Sequence, residues 1–114
     1  MQFAFVTTLT TKPGQMRDFL RKAEAELLPL YRELPGFVAY TIAKTGEATA
    51  TCFGIWQTHQ QAAQAIKTSD HWMKQSSGIL IDSLHNSIGD LPFLAVTEDL
   101  AVYSSPAVVV DARV

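Results

Sequence analysis

The chain has 114 residues, 47% hydrophobic and 18% charged, with a formal net charge of −2; that leaves room for one domain and no basic stripe for nucleic acid. Cys52 is the single cysteine, which excludes an internal disulfide and a cysteine-based zinc set. The first residues lack a basic n-region, and no run approaches the ~20 apolar residues of a membrane span, so the expectation is a cytoplasmic protein with no membrane partner.

Phe3 to Thr10, rich in Phe, Val and Thr, reads as a first strand. Pro13-Gly14 is expected to open a helix, since proline is tolerated in a first helical turn. Met16, Phe19, Leu20, Ala23, Leu27, Leu30, Tyr31 and Leu34 follow helical spacing and form one apolar stripe. Pro29 lies inside it and predicts a kink near 25–29, because an interior proline removes a hydrogen bond at a cost of about 3 kcal/mol. Gly36, in Leu34-Pro35-Gly36-Phe37, stops the helix.

Phe37 to Lys44 and Thr49 to Trp56 read as a hairpin, with Thr45 to Ala48 as the turn. A second helix is predicted over Gln57 to Lys67 with Thr58 as its N-cap. Ser69-Asp70 is expected to cap a separate short turn carrying His71, Trp72 and Met73. Leu80, Leu84 and Ile88 stand four residues apart, which predicts a third helix over Ile79 to Ile88. Phe93 to Tyr103 then reads as a fourth strand. Residues 1–104 form the domain, and 105–114 a tail available to pair with the sheet edge of a partner subunit.

The order β-α-β-β-α-β, with an extra helix before the last strand, is the ferredoxin-like α+β pattern. A turn centred on Gly46-Glu47 groups Val38, Tyr40, Ile42, Thr51, Phe53 and Ile55 on one sheet face. Phe37, Ala39, Thr41, Ala43, Cys52, Gly54 and Trp56 fall on the other. Both sets are largely apolar. Helices cover one face, and a second copy of the sheet is the simplest cover for the other, so a homodimer is expected with Tyr40 at its interface.

Four landmarks carry a resemblance. The Lys12-Pro13-Gly14 helix start, the Leu34-Pro35-Gly36-Phe37 stop, Trp56 closing the third strand and Ser69-Asp70-His71 resemble the antibiotic-biosynthesis monooxygenases. These belong to the dimeric α/β-barrel proteins, which include quinol monooxygenases and heme-degrading enzymes. The resemblance spans roughly residues 2–103. It implies a four-stranded antiparallel sheet, a dimer formed sheet to sheet, and a pocket between sheet and helices. Heme-degrading members carry an Asn, a Trp and a His where this chain has Thr7, Ile66 and Gln75. Quinone-forming members place an Asn four residues before the strand Trp, where this chain has Cys52.

Cofactor-free oxygenation of a phenol or hydroquinone requires an anion, a dry pocket and a surface on which the ring can stack. His71 is the candidate base, since imidazole titrates near neutrality; a lone histidine is more often a packing or capping group. Phe5, Phe37, Trp56 and Trp72 are candidates to line a site for a small aromatic molecule, although strand aromatics are usually core. Thr7, Thr41 and Cys52 complete the predicted substrate-binding set; threonines in strands are commonly propensity choices and a lone cysteine a small hydrophobe. Asp82 and His85 could meet on a helix surface, a pair that is more often solvated. No phosphate loop, dinucleotide fingerprint or metal-spaced cluster is present, so neither cofactor nor metal is implied. The resulting expectation is a cofactor-independent monooxygenase converting an electron-rich phenol or hydroquinone to a quinone. The alternative is a non-catalytic binding or stress-response dimer of the same fold.

Overall fold

A computed structural model describes residues 2–95, 102–104 and 108–111. The four-stranded sheet is antiparallel throughout, in the order β2-β3-β1-β4. Its strands are β1 (Gln2–Thr11), β2 (Phe37–Lys44), β3 (Thr49–Trp56) and β4 (Ile81–Leu91). Helices α1 (Met16–Lys22), α2 (Leu28–Arg32) and α3 (His59–Trp72) supply the second layer. A short pair, β5 (Val102–Ser104) and β6 (Val108–Asp111), forms a separate antiparallel ribbon. This is the ferredoxin-like α+β plan, in which α1 and α2 act as one rod.

The first helix starts at Met16 rather than at Pro13. Gly14, at φ +77°, turns the chain before it, and Pro13 stays outside the helix. The predicted mismatch around Pro29 is taken up as a π-helical turn, Ala23–Leu27, joining α1 to α2. Pro29 has no N–H for the carbonyl of Ala25, and the widened turn makes room for its ring.

Gly36 stops the rod at φ +82°, and its carbonyl accepts from Gln57 N at 3.0 Å. Thr58 caps α3 as expected. Its hydroxyl accepts from Gln61 N, and Gln61 Oε1 accepts from Thr58 N, both at 3.1 Å. The same Gln61 side chain lies over Gly36, where an added Cβ would stand 1.8 Å from Oε1. Gly36→Ala should therefore strain the backbone and push Gln61 out of its capping box. A loss of about 1–2 kcal/mol is expected, measured as a lower denaturation midpoint with unchanged m-value.

Three expectations require correction. First, Ser69-Asp70 does not begin a new turn: α3 runs unbroken to Trp72, and Ser69 Oγ donates back to Ile66 O at 2.9 Å. Second, residues 81–91 form an edge strand, not a helix, and the expected extra helix is reduced to a short 3-10 turn, Gly78–Leu80, just before it. Spacing by four satisfies a strand's period of two as well as a helix turn. The predicted strand over 93–103 is replaced by irregular chain at 93–95 and the short β5; residues 96–101 lie outside the described residues. Third, the hairpin register differs by one residue. Ile42 pairs with Cys52, Tyr40 with Gly54 and Thr41 with Phe53. A one-residue slip exchanges faces, so Tyr40 and Ile42 join the helix side. Thr41 and Ala43 move to the open side with Thr51, Phe53 and Ile55.

The helix-facing side of the sheet is the core. Phe5, Leu9, Ala50, Cys52 and Trp56 are buried there against Met16, Phe19, Ala23, Leu27, Tyr31, Ala62, Ala65 and Trp72. The open side carries Val6, Phe53 and Ile55 mixed with Thr8, Thr10, Thr49, Thr51 and His85. Phe53 is 38% exposed. That side is less uniformly apolar than the predicted register implied.

Candidate functional site

One transverse row of residues crosses the helix-facing side. Register places Ile42 beside Cys52, Cys52 beside Thr7 and Thr7 beside Asn86, from one sheet edge to the other. Thr7 Oγ1 donates to Asn86 Oδ1 at 2.5 Å. Thr7 and Cys52 are buried, whereas Asn86 on the edge strand is half-buried. Leu84 and Ile88 flank Asn86 on the same side of β4, each half-buried and roughly 7 Å away along the strand. On the helix-facing side Phe3, Phe37, Tyr40 and Ile42 also keep some accessible surface, and on β4 the accessible residues form the strip Leu84–Asn86–Ile88.

An aromatic cluster walls the row. Tyr31 is central: its ring lies 4.7 Å from Tyr40, 5.7 Å from Trp56 and 5.8 Å from Phe5, each edge to face. Phe37 sits 5.3 Å from Trp56. Phe5 covers Gly54, where a Cβ would approach Phe5 Cε2 to 2.4 Å. The small residue in the sheet floor is therefore filled from above. Trp56 is fully buried, and its indole N–H has no hydrogen-bond partner among the described residues.

The predicted site residues divide accordingly. Phe5, Thr7, Phe37, Cys52 and Trp56 share the helix-facing side. Trp72 is buried farther along, 6.4 Å from Phe19, and donates its indole N–H to Glu26 Oε1 at 2.9 Å. Thr41 is exposed on the opposite side because it pairs with Phe53. His71 is exposed on the last turn of α3 and stays outside the row. His85 is exposed on the open side, across from Thr8, and on a strand Asp82 three residues away points to the other face. His59 is also exposed, with its ring 5.7 Å from Phe3.

Sequence reasoning missed Asn86, because it read β4 as a helix. The signal was present: Leu84, Asn86 and Ile88 alternate with Ser83, His85, Ser87 and Gly89. It also missed Glu26, which joins the rod to the π-helical turn after α3 (Met73–Ser77). Glu26 Oε1 accepts from Ser76 Oγ at 2.6 Å as well as from Trp72, and Lys22 Nζ stands 3.6 Å from Oε2. The Ser76 and Trp72 hydrogen bonds hold the Glu26 carboxyl below its usual range.

The electrostatics of the row favour neutral groups. Burial pushes the Cys52 thiol up from 9.0 to about 11, with the Tyr40 hydroxyl offsetting part of the shift. Burial likewise raises Tyr31, against a smaller opposing effect of Ser69. Tyr40 is raised by burial first and then by Cys52; its hydroxyl is enclosed although the residue as a whole is half-buried. These are hydrogen-bonding groups in their neutral forms, not resident anions. A folded value above the unfolded one means the contribution to stability is full below pH 9 for Cys52 and is lost as pH rises through about 11. The thermal midpoint should fall between those values, and Cys52→Ala should flatten part of the fall. At neutral pH, thiol reagents should label Cys52 slowly in the folded state and quickly after denaturation.

Two open grooves adjoin these elements. One, of about 280 Å³, lies between Leu34-Pro35 and Gln60, Gln61 and Gln64. The other, of about 330 Å³, is lined in part by Asp70, Met73, Ile81, Asp82 and Leu84, and so reaches one end of the β4 strip. Among the described residues no group of three or more His, Cys, Asp or Glu is placed to hold a metal ion, and no helix is long and apolar enough to cross a membrane.

No family model and no curated protein matches the sequence. Solved structures do. A monooxygenase from the ActVA-Orf6 gene of Streptomyces coelicolor, in complex with the ligand nanaomycin D, superposes with a TM-score of 0.66 at 16% identity, over 84% of this chain and 92% of that one. SnoaB, a cofactor-independent oxygenase from Streptomyces nogalater, gives 0.63 at 13% identity, over 82% and 95%. The fold is that of the antibiotic-biosynthesis monooxygenases. A Nitrosomonas europaea protein of unknown function superposes with a TM-score of 0.66 at 22% identity, over 84% and 94%. Identities at this level establish a shared architecture; activity has to be argued from the site.

Proposed function

We propose that the protein is a cofactor-independent monooxygenase acting on an electron-rich phenol or hydroquinone. The observation that carries this reading is the buried-to-half-buried row Cys52–Thr7–Asn86, walled by Phe5, Tyr31, Tyr40 and Trp56 on the helix-facing side of the sheet. It combines apolar and aromatic side chains with neutral hydrogen-bonding groups, and its fold is shared with a cofactor-independent oxygenase.

In this reaction the ionised substrate passes an electron to O2 and the resulting radicals combine at a ring carbon. Loss of that carbon's hydrogen and of one oxygen atom as water leaves the quinone. The substrate supplies all the electrons that O2 takes up, so no external reductant is required. The protein's part is to exclude water, hold the ring against Leu84 and Ile88, and present hydrogen-bond donors to the oxygen that bears charge. The proposal includes a cytoplasmic homodimer joined through the open side of the sheet around Val6, Phe53 and Ile55; of the tail, residues 105–107 and 112–114 lie outside the described residues, and 108–111 pair with β5.

Oxygen uptake by the purified protein, measured across a panel of hydroquinones, naphthols and anthrones, tests the reading. Uptake well above the spontaneous rate for at least one class is expected. No excess over that rate across the whole panel, with folded protein, would remove the enzymatic reading. One observation favours the alternative of a non-catalytic binder: no imidazole reaches the row, since His59, His71 and His85 are all exposed. Saturable binding of an aromatic ligand without oxygen uptake would establish that alternative.

A further inference from the structure

We propose that Asn86 receives the ionised oxygen of the ligand, so that this site selects phenols and enols already anionic in solution instead of deprotonating neutral ones. The inference rests on reading the helix-facing surface as an aromatic site, and it names the chemistry that this surface accepts.

The hydrogen bond from Thr7 orients the amide. With the Thr7 hydroxyl donating to Asn86 Oδ1, the Nδ2 group points away from Thr7. Its two N–H donors have no partner among the described residues, and the residue is half-buried. An amide fixed on its acceptor side, with its donor side free, is arranged to take an oxygen bearing negative charge. Leu84 and Ile88 stand one on each side of it on the same face. A fused planar ring system would rest on both, with its oxygen between them.

The surrounding titratable groups offer no base for deprotonation. β1, which pairs along the whole length of β4, carries no titratable side chain. From β3, α2 and β2 the row receives Cys52, Tyr31 and Tyr40, all of which burial keeps protonated. On β4 itself, Asp82 and Asp90 are exposed, and His85 belongs to the other side of the sheet. The end of α3 and the turn after it bring Asp70, His71 and Lys74, all exposed. None of these is a buried base beside the amide; the groove that reaches Leu84 carries Lys74 together with Asp70 and Asp82.

The test is a titration with 4-nitrophenol, whose anion absorbs visible light and which is not consumed by O2 under these conditions. Wild type should bind the anion in preference to the neutral phenol and lower the apparent pKa of the bound probe. Asn86→Ala should weaken anion binding about 10- to 100-fold and leave the neutral phenol little affected, as expected for loss of a charge-assisted hydrogen bond. Asn86→Asp should weaken it further. Thr7→Val, which frees the amide, should also weaken it, and Thr7→Ser should restore it. Circular dichroism and the thermal midpoint identify any variant that fails to fold, and the Thr7 pair then carries the comparison. Anion binding that Asn86→Ala leaves intact would overturn the proposal, as would preference for the neutral phenol or absence of binding by wild type. Asn86-dependent anion binding without any oxygen uptake would support this inference while removing the oxygenase reading. Oxygen uptake indifferent to Asn86 would do the reverse.

Discussion

Trp56→Ala should destabilise the protein by about 3–5 kcal/mol, the largest single-residue effect expected in this chain. Trp56 has no exposed surface, closes β3 and packs its ring against both Tyr31 and Phe37. Truncation removes that contact area and leaves a cavity that β3 and the α1–α2 rod cannot close without moving together. One term works in the opposite direction. The indole N–H is buried without a partner among the described residues, so the wild type already carries a desolvation cost that Ala removes. Trp56→Phe should therefore cost less than volume alone suggests. Urea titration of the three proteins checks this; a loss under about 1 kcal/mol for the Ala variant would show that Trp56 is not core.

Gly54→Val should cost about 3 kcal/mol, toward the upper end for an overpacked core. An added Cβ would lie 2.4 Å from Phe5 Cε2 and 2.9 Å from Cδ2 and Cζ. Phe5 cannot simply rotate aside. It is 1% exposed, with Tyr31 at 5.8 Å and Tyr40 at 6.3 Å from its ring. The ring would have to rise toward the helices and displace Tyr31, the hub of the cluster. Ligand binding should fall along with stability, because the aromatic wall and the floor are the same set of side chains. Gly54→Val combined with Phe5→Ala should recover part of the loss. Simple additivity of the two substitutions would show that they are independent and would contradict the contact.

Much of the fold was legible because local rules agreed with one another. The β2–β3 boundaries, the Gly36 stop and the Thr58 cap follow from turn and capping chemistry that acts over a few residues. The π turn was legible as strain at Pro29, though not in its form. What failed depended on longer range. Hairpin register is set by how the strands pair with β1 and by which face the helices cover. Tyr40 therefore lies on the side opposite to the one its strand pattern predicts, although the strand itself is where the pattern puts it. In β4, leucines and isoleucine spaced by four satisfied two periods at once. The alternation of Ser83, His85 and Ser87 on the open side decided between them. The site suffered accordingly. Phe5, Thr7, Phe37, Cys52 and Trp56 share a side as expected, because they lie on strands that were read correctly. Thr41 changed sides with the register, and Asn86 was hidden by the helix reading. His71 has the chemistry of a base, but nothing in the sequence indicates that it is exposed on the last turn of α3.

The central claim is that ligand binds on the helix-facing side of the sheet, over the row that ends in Asn86. Backbone and side-chain amide chemical shifts, followed by NMR as a naphthol is titrated in, test it directly. The account predicts that Thr7, Cys52, Leu84, the Asn86 side-chain amide and the Trp56 indole N–H respond together with one affinity. Shifts confined to Thr8, Thr41, Thr51, Phe53 and His85, on the open side, would contradict it.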